Sequence, residues 1–463
     1  MSVIESFAPI ELMHGQSRRM ISRQSVRLLL YFQLMLLDMM AIAVGFLVGG
    51  YLGGYTWAAP NGINLAFLVI PTYIFLAANQ NAYSLSTLKS LQQSLRRSLI
   101  AWAVTAAFIL LAGFFMYSRP IASRGSVALG IAGTGFLLIC VRFAFDRLVL
   151  KRYAGGLLNE LVIVDDVPFS NAGGRQVIDA NKASIQPDLQ DPAMINRLAS
   201  CLQGVDRVVV ACPPERQQAW SLLLKGSNIR GELLLQRNDN VGAIGLSRFG
   251  DAETLVVSHG PLSLRSRAQK RALDLAITVP LLILLTPLMV AVAIAIKLES
   301  PGPIFFKQGR IGRSNSVFSI LKFRSMRTEL CDAAGHRSAS RDDDRITRVG
   351  AFIRRTSIDE LPQLINVLRG DMSLVGPRPH ALGSLAGDRL FWEVDEQYWV
   401  RHALKPGITG LAQVRGYRGA TLRRQDLEMR LRSDLEYVNG WSLWLDLVIL
   451  FATAKVIKHQ NAY

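Results

Sequence analysis

Cysteine is scarce in this chain of 463 residues, which holds four: Cys140, Cys201, Cys212 and Cys331. None forms a C-x-x-C pair, so a disulfide framework and a zinc knot are both excluded, and the thiols suit a reducing or membrane context. The six histidines form no H-E-x-x-H. Charge is also thin: 19% of residues carry it against 50% that are hydrophobic, and mean hydropathy is +0.25. That balance excludes a disordered or wholly water-soluble chain. Acid is scarcer than base, 35 Asp+Glu against 52 Lys+Arg, leaving +17. An anionic surface or substrate is therefore expected: phospholipid head groups, phosphorylated metabolites or nucleic acid. There is no internal repeat, and the triplet Asp342–Asp344 is the only biased segment; it reads as a solvated loop. A secretory leader is not expected, because the first apolar run begins near residue 28 and lacks a small-residue cleavage site.

Four apolar runs, at 28–53, 62–78, 98–117 and 126–145, each approach the length of a membrane-crossing helix. Asp38 is the main charge inside the first; an intramembrane acid is a functional candidate by default, but pairing with a neighbour inside a bundle is the favoured reading. Arg18, Arg19, Arg23 and Arg27 precede the runs; Lys89, Arg96 and Arg97 lie between the second and third; Arg147, Lys151 and Arg152 follow the fourth. The loop at 54–61 has no Lys or Arg, and the loop at 118–125 only Arg119 and Arg124. The excess of basic residues predicts that both ends of the bundle face the cytoplasm. Residues 1–27 then form a cytosolic segment and 28–150 a four-helix transmembrane bundle.

Residues 151–262 change character. Runs at 157–166, 205–212 and 231–236 alternate with helix-like stretches, the pattern of a small α/β, Rossmann-like domain with parallel strands. It is degenerate, since DDVPFSNAGG after the first strand lacks the G-x-G-x-x-G that lets a pyrophosphate approach, and two acids stand where phosphate would sit. A structural or ligand-sensing role is expected. A fifth run follows at 275–296. Pro280 and Pro287 interrupt it, and basic residues flank both sides, so a simple crossing would put the basic remainder outside the cell. The expectation is a re-entrant helix over 271–298 that enters and leaves by one face, with Thr286 supplying a hydroxyl to a carbonyl freed at Pro287. Lys270 and Arg271 read as anchors at the membrane interface. Residues 263–463 form the last domain, mixed α/β and rich in Arg, Gly and Pro.

The most informative segment is RRTSIDELPQLINVLRG (354–370). Leu361, Leu364, Ile365 and Leu368 follow helical spacing, and Ser357 with Glu360 has the form of a capping box. Two readings are open for Asp359 and Glu360. In one, they stabilise a helix N-terminus. In the other, Arg354, Arg355 and exposed amides hold phosphate, Asp359 attacks phosphorus and Glu360 holds Mg2+. Lys322 and Arg324 alternate with apolar neighbours, as on the solvated face of a strand. Gly407 and Gly410 suit turns, and His380 and His402 suit structural positions.

KRALD (270–274) before the Pro-broken run, SPGP (300–303), LKFRSM (321–326), DELPQ (359–363), GPRP (376–379) and PGITGLAQ (406–413) occur in this order. In this order they resemble the polyprenyl-phosphate hexose-1-phosphate transferases, bacterial sugar transferases that start exopolysaccharide and O-antigen repeat units. The resemblance covers about 265–463. It implies transfer of hexose 1-phosphate from a UDP-hexose to undecaprenyl phosphate, with release of UMP, by a monotopic catalytic domain at the cytoplasmic face of the inner membrane. By the same resemblance, Asp359 is the nucleophile that forms an aspartyl phosphosugar and Glu360 the Mg2+ ligand. Arg354 binds phosphate, Arg378 lies at the nucleotide end, and Lys322 and Arg324 become phosphate contacts. The break that is Ser-Pro in the family is Thr286-Pro287 here. WSLWLD (441–446) and the end of the chain at Tyr463 resemble glucose-specific initiators, with galactose second, and the layout of large members implies a homodimer.

Other classes fit less well. A membrane-anchored nucleotide-sugar dehydratase needs a Tyr-x-x-x-Lys base, and no tyrosine occurs from 154 to 397. A transporter needs pathway charges that the apolar runs lack. A non-catalytic scaffold for polysaccharide assembly leaves Asp359, Glu360, Arg354 and Arg378 without a purpose. No nucleic-acid motif is present, so nucleic acid is not an expected partner.

Overall fold

The computed structural model describes residues 23–52, 65–115, 124–153, 156–169, 176–234, 242–250, 252–327, 345–417, 421 and 423–458. Cys331, Asp342–Asp344, the loop at 54–61, Arg18, Arg19, Arg119 and Tyr463 lie outside them. The chain divides into two compact units, one of Ile21–Asn159 and one that takes in Glu160–Tyr463.

The first unit is helical: α1 (Arg23–Leu52), α2 (Leu65–Asn79), α3 (Leu85–Lys89), α4 (Leu91–Phe115) and α5 (Arg124–Arg152). Helices α1, α4 and α5 are long and apolar enough to cross a membrane, and α2 is a shorter apolar helix within the described residues. Small residues bring α1 and α5 together. A Cβ on Gly45 would strike Thr134, and one on Gly49 would strike Gly130. This small-x-x-x-small match lets two backbones touch where apolar burial alone gives helices no preference for one another over lipid. Asp38 is fully buried. Arg142 pairs with it through Nη2 at 2.5 Å, and the hydroxyls of Tyr83 and Tyr73 donate to it at 2.9 and 3.3 Å. The acid is thus a neutralised, hydrogen-bonded interior group, as expected from its isolation.

The second unit opens with a six-stranded sheet: β1 (Glu160–Val164), β2 (Gln176–Asp179), α6 (Pro192–Cys201), β3 (Arg207–Ala211), α7 (Gln217–Gly226), β4 (Arg230–Leu234), β5 (Gly245–Phe249) and β6 (Ala252–Ser258). The order is β2-β1-β3-β4-β6-β5. The first four strands are parallel, while β6 runs antiparallel to β4 and closes a hairpin with β5. Strands β1, β3 and β4 fall on the three anticipated runs because their centres are buried on both faces and read as unbroken apolar stretches. Strand β5, mostly exposed at the sheet edge, carries no such run. Asp165, at the end of β1, takes a hydrogen bond from Trp220 Nε1 at 2.8 Å and an ion pair from Arg216, which also reaches Asp166. Arg216 thereby neutralises the two acids at the end of β1.

Helix α8 (Leu264–Glu299) holds both Pro280 and Pro287 within one helix. It is long and apolar enough to cross a membrane. Thr286 Oγ1 donates to the Leu282 carbonyl at 2.7 Å. The carbonyl that Pro287 leaves without a donor is that of Ile283, so Thr286 bonds one residue too early to replace it. The expected interfacial anchoring of Lys270 is also corrected. Lys270 is buried, its Nζ donating to Asp446 at 2.7 Å, Tyr437 at 2.9 Å and the Val375 carbonyl at 3.0 Å. Arg271 donates to the carbonyls of Val367 and Leu368 at 2.6 and 2.7 Å, filling two acceptors of a helix end. Internal acceptors outcompete water for the Lys270 head, while Arg271 stays partly exposed.

Beyond α8 the chain forms the antiparallel pair β7 (Phe305–Ile311) and β8 (Val317–Phe323), then α9 (Arg348–Arg355), α10 (Gln363–Arg369) and β9 (Ser373–Val375). The short pair β10 (Leu385–Ala386) and β11 (Arg389–Leu390) and α11 (Phe391–Val394) precede a 3-10 run at Glu396–Ala403. Last come β12 (Gly407–Thr409), α12 (Leu411–Val414), α13 (Arg424–Asn439) and α14 (Leu443–Lys458). The sheet and this region share one core, in which Trp220 and Leu223 meet Phe391, Trp392, Tyr398 and Trp399. A second core of Leu364, Val367, Met372, Leu374, Tyr437 and Ile449 lies under α10 and β9.

Candidate active site

The segment expected to be one capped helix is broken. Helix α9 ends at Arg355, Ser357 takes the left-handed conformation at φ 56°, and a 3-10 turn spans Ile358–Glu360 before α10 starts. The capping box is not formed, because the Ser357 side chain makes no cap hydrogen bond and Glu360 points elsewhere. The buried stripe of α10 is Gln363, Leu364, Asn366 and Val367, and Leu368 is exposed. Asn366 explains that face. Its Nδ2 donates to Ser319 O at 2.8 Å while its Oδ1 accepts from Leu321 N at 2.9 Å, so α10 is stitched to β8.

That stitch places Lys322, on β8, beside the turn. Lys322 Nζ donates to Glu360 Oε1 at 2.9 Å, and Arg378 Nη2 donates to the same oxygen at 2.8 Å. The other oxygen, Oε2, accepts no hydrogen bond among the described residues. Burial acts to raise the Glu360 pKa, but Arg378 and Lys322 outweigh it and hold the carboxyl far below the usual range. Asp359 moves the other way. Burial raises its pKa, Glu360 adds to the rise, and Lys322, Arg354 and Arg378 only partly oppose it. Two neighbouring acids are thereby driven apart, the separation that lets one chain segment supply two different roles.

Arg378 is presented by a loop that glycines allow to form. Gly376 N donates to Thr409 O at 2.8 Å and Gly407 N to Pro377 O at 3.0 Å. A Cβ on Gly407 would strike the nitrogen of Gly376, and one on Gly410 would strike its carbonyl. The glycines of PGITG therefore serve close backbone contact.

Lys322, Arg354, Asp359, Glu360 and Arg378 converge. Arg324 does not. It is buried and donates to the carbonyls of Pro301 at 2.5 Å, Ser300 at 2.8 Å and Ile296 at 3.4 Å, and to Ser300 Oγ at 2.9 Å. It is the C-terminal clasp of α8: β8 ends at Phe323, so Arg324 lies past the strand that carries Lys322 into the site and turns back to residues 296–301. His380 and His402 are buried, His402 against Asn315 and His380 against Tyr398, and burial beside Arg401 holds both well below the usual histidine range. Sequence reasoning missed Arg310, whose Nη1 reaches Pro379 O at 3.2 Å. Burial and the neighbouring Arg378 push it down to about 10. Its alternation with Gln308 along β7 was the available signal.

Cationic groups from three elements thus surround a split acid pair, an arrangement suited to holding phosphate. The chain belongs to the bacterial sugar transferase family, whose pattern matches residues 265–460. It is 50% identical over 184 residues to the exopolysaccharide production protein PSS of Rhizobium leguminosarum bv. phaseoli, covering 40% of this chain and 92% of that protein. It is 48% identical over 196 residues to the UDP-glucose:undecaprenyl-phosphate glucose-1-phosphate transferase of Caulobacter vibrioides, covering 42% of this chain and 72% of that protein. To the undecaprenyl-phosphate glucose phosphotransferase of Komagataeibacter xylinus it is 45% identical over 265 residues, covering 56% of this chain. The match spans about half the length of that last relative.

Proposed function

We propose that this protein transfers glucose 1-phosphate from UDP-glucose to undecaprenyl phosphate, releasing UMP and starting an exopolysaccharide or O-antigen repeat unit. The observation that carries this is the opposed pair Asp359 and Glu360 under Lys322, Arg354 and Arg378. A carboxylate oxygen of Asp359 attacks the sugar-bearing phosphorus, and the bond from that phosphorus to the bridging oxygen breaks as UMP leaves. An oxygen of undecaprenyl phosphate then attacks the same phosphorus and restores the carboxylate. Lys322 and Arg354 hold phosphate charge, and Arg378 holds the nucleotide end. The choice of glucose is supported by the names of the relatives from Caulobacter vibrioides and Komagataeibacter xylinus.

The donor set suits Mg2+. No cluster of three or more His, Cys, Asp or Glu exists among the described residues, while Mg2+ is commonly held by one or two carboxylates plus substrate phosphates and water. Glu360, through Oε2, would hold it together with substrate phosphate oxygens and water. When bound it neutralises diphosphate charge and eases departure of UMP.

The enzyme sits in the inner membrane with its active site at the cytoplasmic face, and the parallel part of the central sheet is a Rossmann-like module. Helix α8 is re-entrant, a reading supported by contacts at both of its ends with the same domain: Lys270 with Asp446, and Ile296 with Phe323 and Ile353. A homodimer is the expected assembly. The test is UMP release in nanodiscs with UDP-glucose and UDP-galactose in parallel, with phosphosugar label retained on the protein when undecaprenyl phosphate is withheld. Release with UDP-glucose and label on wild type but not on Asp359→Asn is expected. Release that survives in Asp359→Asn would refute the covalent route.

A further inference from the structure

The structure assigns Arg401, which lies in none of the sequence motifs, the role of positioning residue for Arg378. The inference rests on the transferase reading, because it takes Arg378 as a group that touches substrate.

The backbone that carries Arg378 is held at every carbonyl from Pro377 to His380. Gly407 N takes Pro377 O at 3.0 Å, Arg401 Nη2 takes Arg378 O at 2.8 Å, Arg310 Nη1 takes Pro379 O at 3.2 Å, and Ile311 N takes His380 O at 3.2 Å. Arg401 is the side chain that grips both sides of Pro379, because its Nη1 also donates to His380 Nδ1 at 3.0 Å. The direction of that bond is fixed, since a guanidinium only donates.

A simple core ion pair would explain less. Arg401 is 1% exposed and gives Nε and Nη2 to Asp434 Oδ2, on α13, at 2.9 and 2.7 Å. That pairing neutralises both charges and needs no contact with residues 378 or 380. Beyond Asp434, Arg401 also lies near His402 Nε2 at 3.4 Å and over the Tyr398 ring, and its shortest remaining hydrogen bonds go to Arg378 O and His380 Nδ1. Pro377 and Pro379 restrict the backbone on either side of Arg378. Fixing the Arg378 carbonyl therefore fixes the direction of its Cα–Cβ bond, and with it the approach of its guanidinium to Glu360. Without Arg401 that carbonyl loses its donor, while Arg310 still presents a like charge beside Arg378. The loop then relaxes away and Arg378 leaves its place.

The test is a double-mutant cycle on the full chain in nanodiscs: Arg401→Lys in the wild-type and Arg378→Ala backgrounds, read by kcat and KM for UDP-glucose and by thermal unfolding. Lysine keeps a charge opposite Asp434 but has one head where arginine has a fork. Arg401→Lys is expected to melt close to wild type yet lose kcat/KM by about a hundredfold, the scale of a misplacement near 1 Å. The same change in Arg378→Ala should cost nothing further. Unaltered kinetics in Arg401→Lys, or the full loss repeated in Arg378→Ala, would overturn the assignment. If Arg401→Lys does not fold, Arg401→Gln with Asp434→Asn, which removes both buried charges together, is read in the same cycle by the same criteria. A wild type that releases no UMP fails the transferase reading and this inference with it. A wild type that turns over beside an unaffected Arg401→Lys fails the inference alone.

Discussion

Glu360 and Arg378 are joined by a 2.8 Å hydrogen bond between Oε1 and Nη2, which ties the turn after α9 to the loop after β9. Lys322 shares the same oxygen, so one negative charge holds two cations that would otherwise repel. Glu360→Gln keeps an acceptor but removes the charge. The expected result is a folded protein whose UMP release falls by about a hundredfold or more, the scale seen when a positioned charge-stabilising group is lost. A variant that turns over like wild type would show that Glu360 serves packing alone.

The raised pKa of Asp359 fixes a sign. Between the ordinary carboxylate value and the higher folded value, the folded chain keeps a proton that the unfolded chain has released. Stability contributed by this group therefore falls as pH rises through that window and stays low above it. Asp359→Asn removes the penalty, so its melting temperature should exceed that of wild type at neutral pH. The two should converge once the pH is below the ordinary carboxylate range. The acid limb of kcat/KM in wild type should lie above the ordinary aspartate value. A melting temperature lowered by Asp359→Asn at neutral pH would contradict the desolvated environment.

The sequence exposed much of the site through spacing, because DELPQ and GPRP each pack their chemistry into a few consecutive residues. It also exposed β1, β3 and β4, whose buried centres leave unbroken apolar runs. What it hid depended on long-range partners. Lys270 reads as an interfacial lysine until Asp446, far along the chain, is folded against it. Ser357 and Glu360 read as a cap until the left-handed Ser357 breaks the helix and two cations claim the glutamate. Arg401 carries no local signal at all, since these partners come from two distant segments, residues 378–380 and α13.

Lys322 and Arg324, two positions apart on one chain segment, should behave oppositely. Lys322→Ala removes a cation from the acid pair, and its UMP release is expected to fall about a hundredfold with little change in melting. Arg324→Ala leaves the carbonyls of Ile296, Ser300 and Pro301 without their charged donor. Hydrogen bonds to charged groups contribute about 1.5–3 kcal/mol each, so a lower melting temperature is expected with KM for UDP-glucose unchanged in the folded fraction. An Arg324→Ala protein that melts normally but binds UDP-glucose weakly would return Arg324 to the site.

The Lys270–Asp446 pair decides what the first turns of α8 are for. If Lys270 were an interfacial anchor, replacing it would change membrane retention and leave the fold intact. As a buried partner of Asp446, with Tyr437 and Trp441 donating to the same carboxylate, it neutralises a charge that cannot reach water. Lys270→Met should then cost about 3–5 kcal/mol, the penalty for stranding one member of a buried pair. Adding Asp446→Leu removes the stranded charge, and most of that loss should be regained even though a second native side chain has gone. Thermal unfolding of the two variants beside wild type measures this directly. A single variant as stable as wild type but shed more readily from membranes would restore the anchoring role.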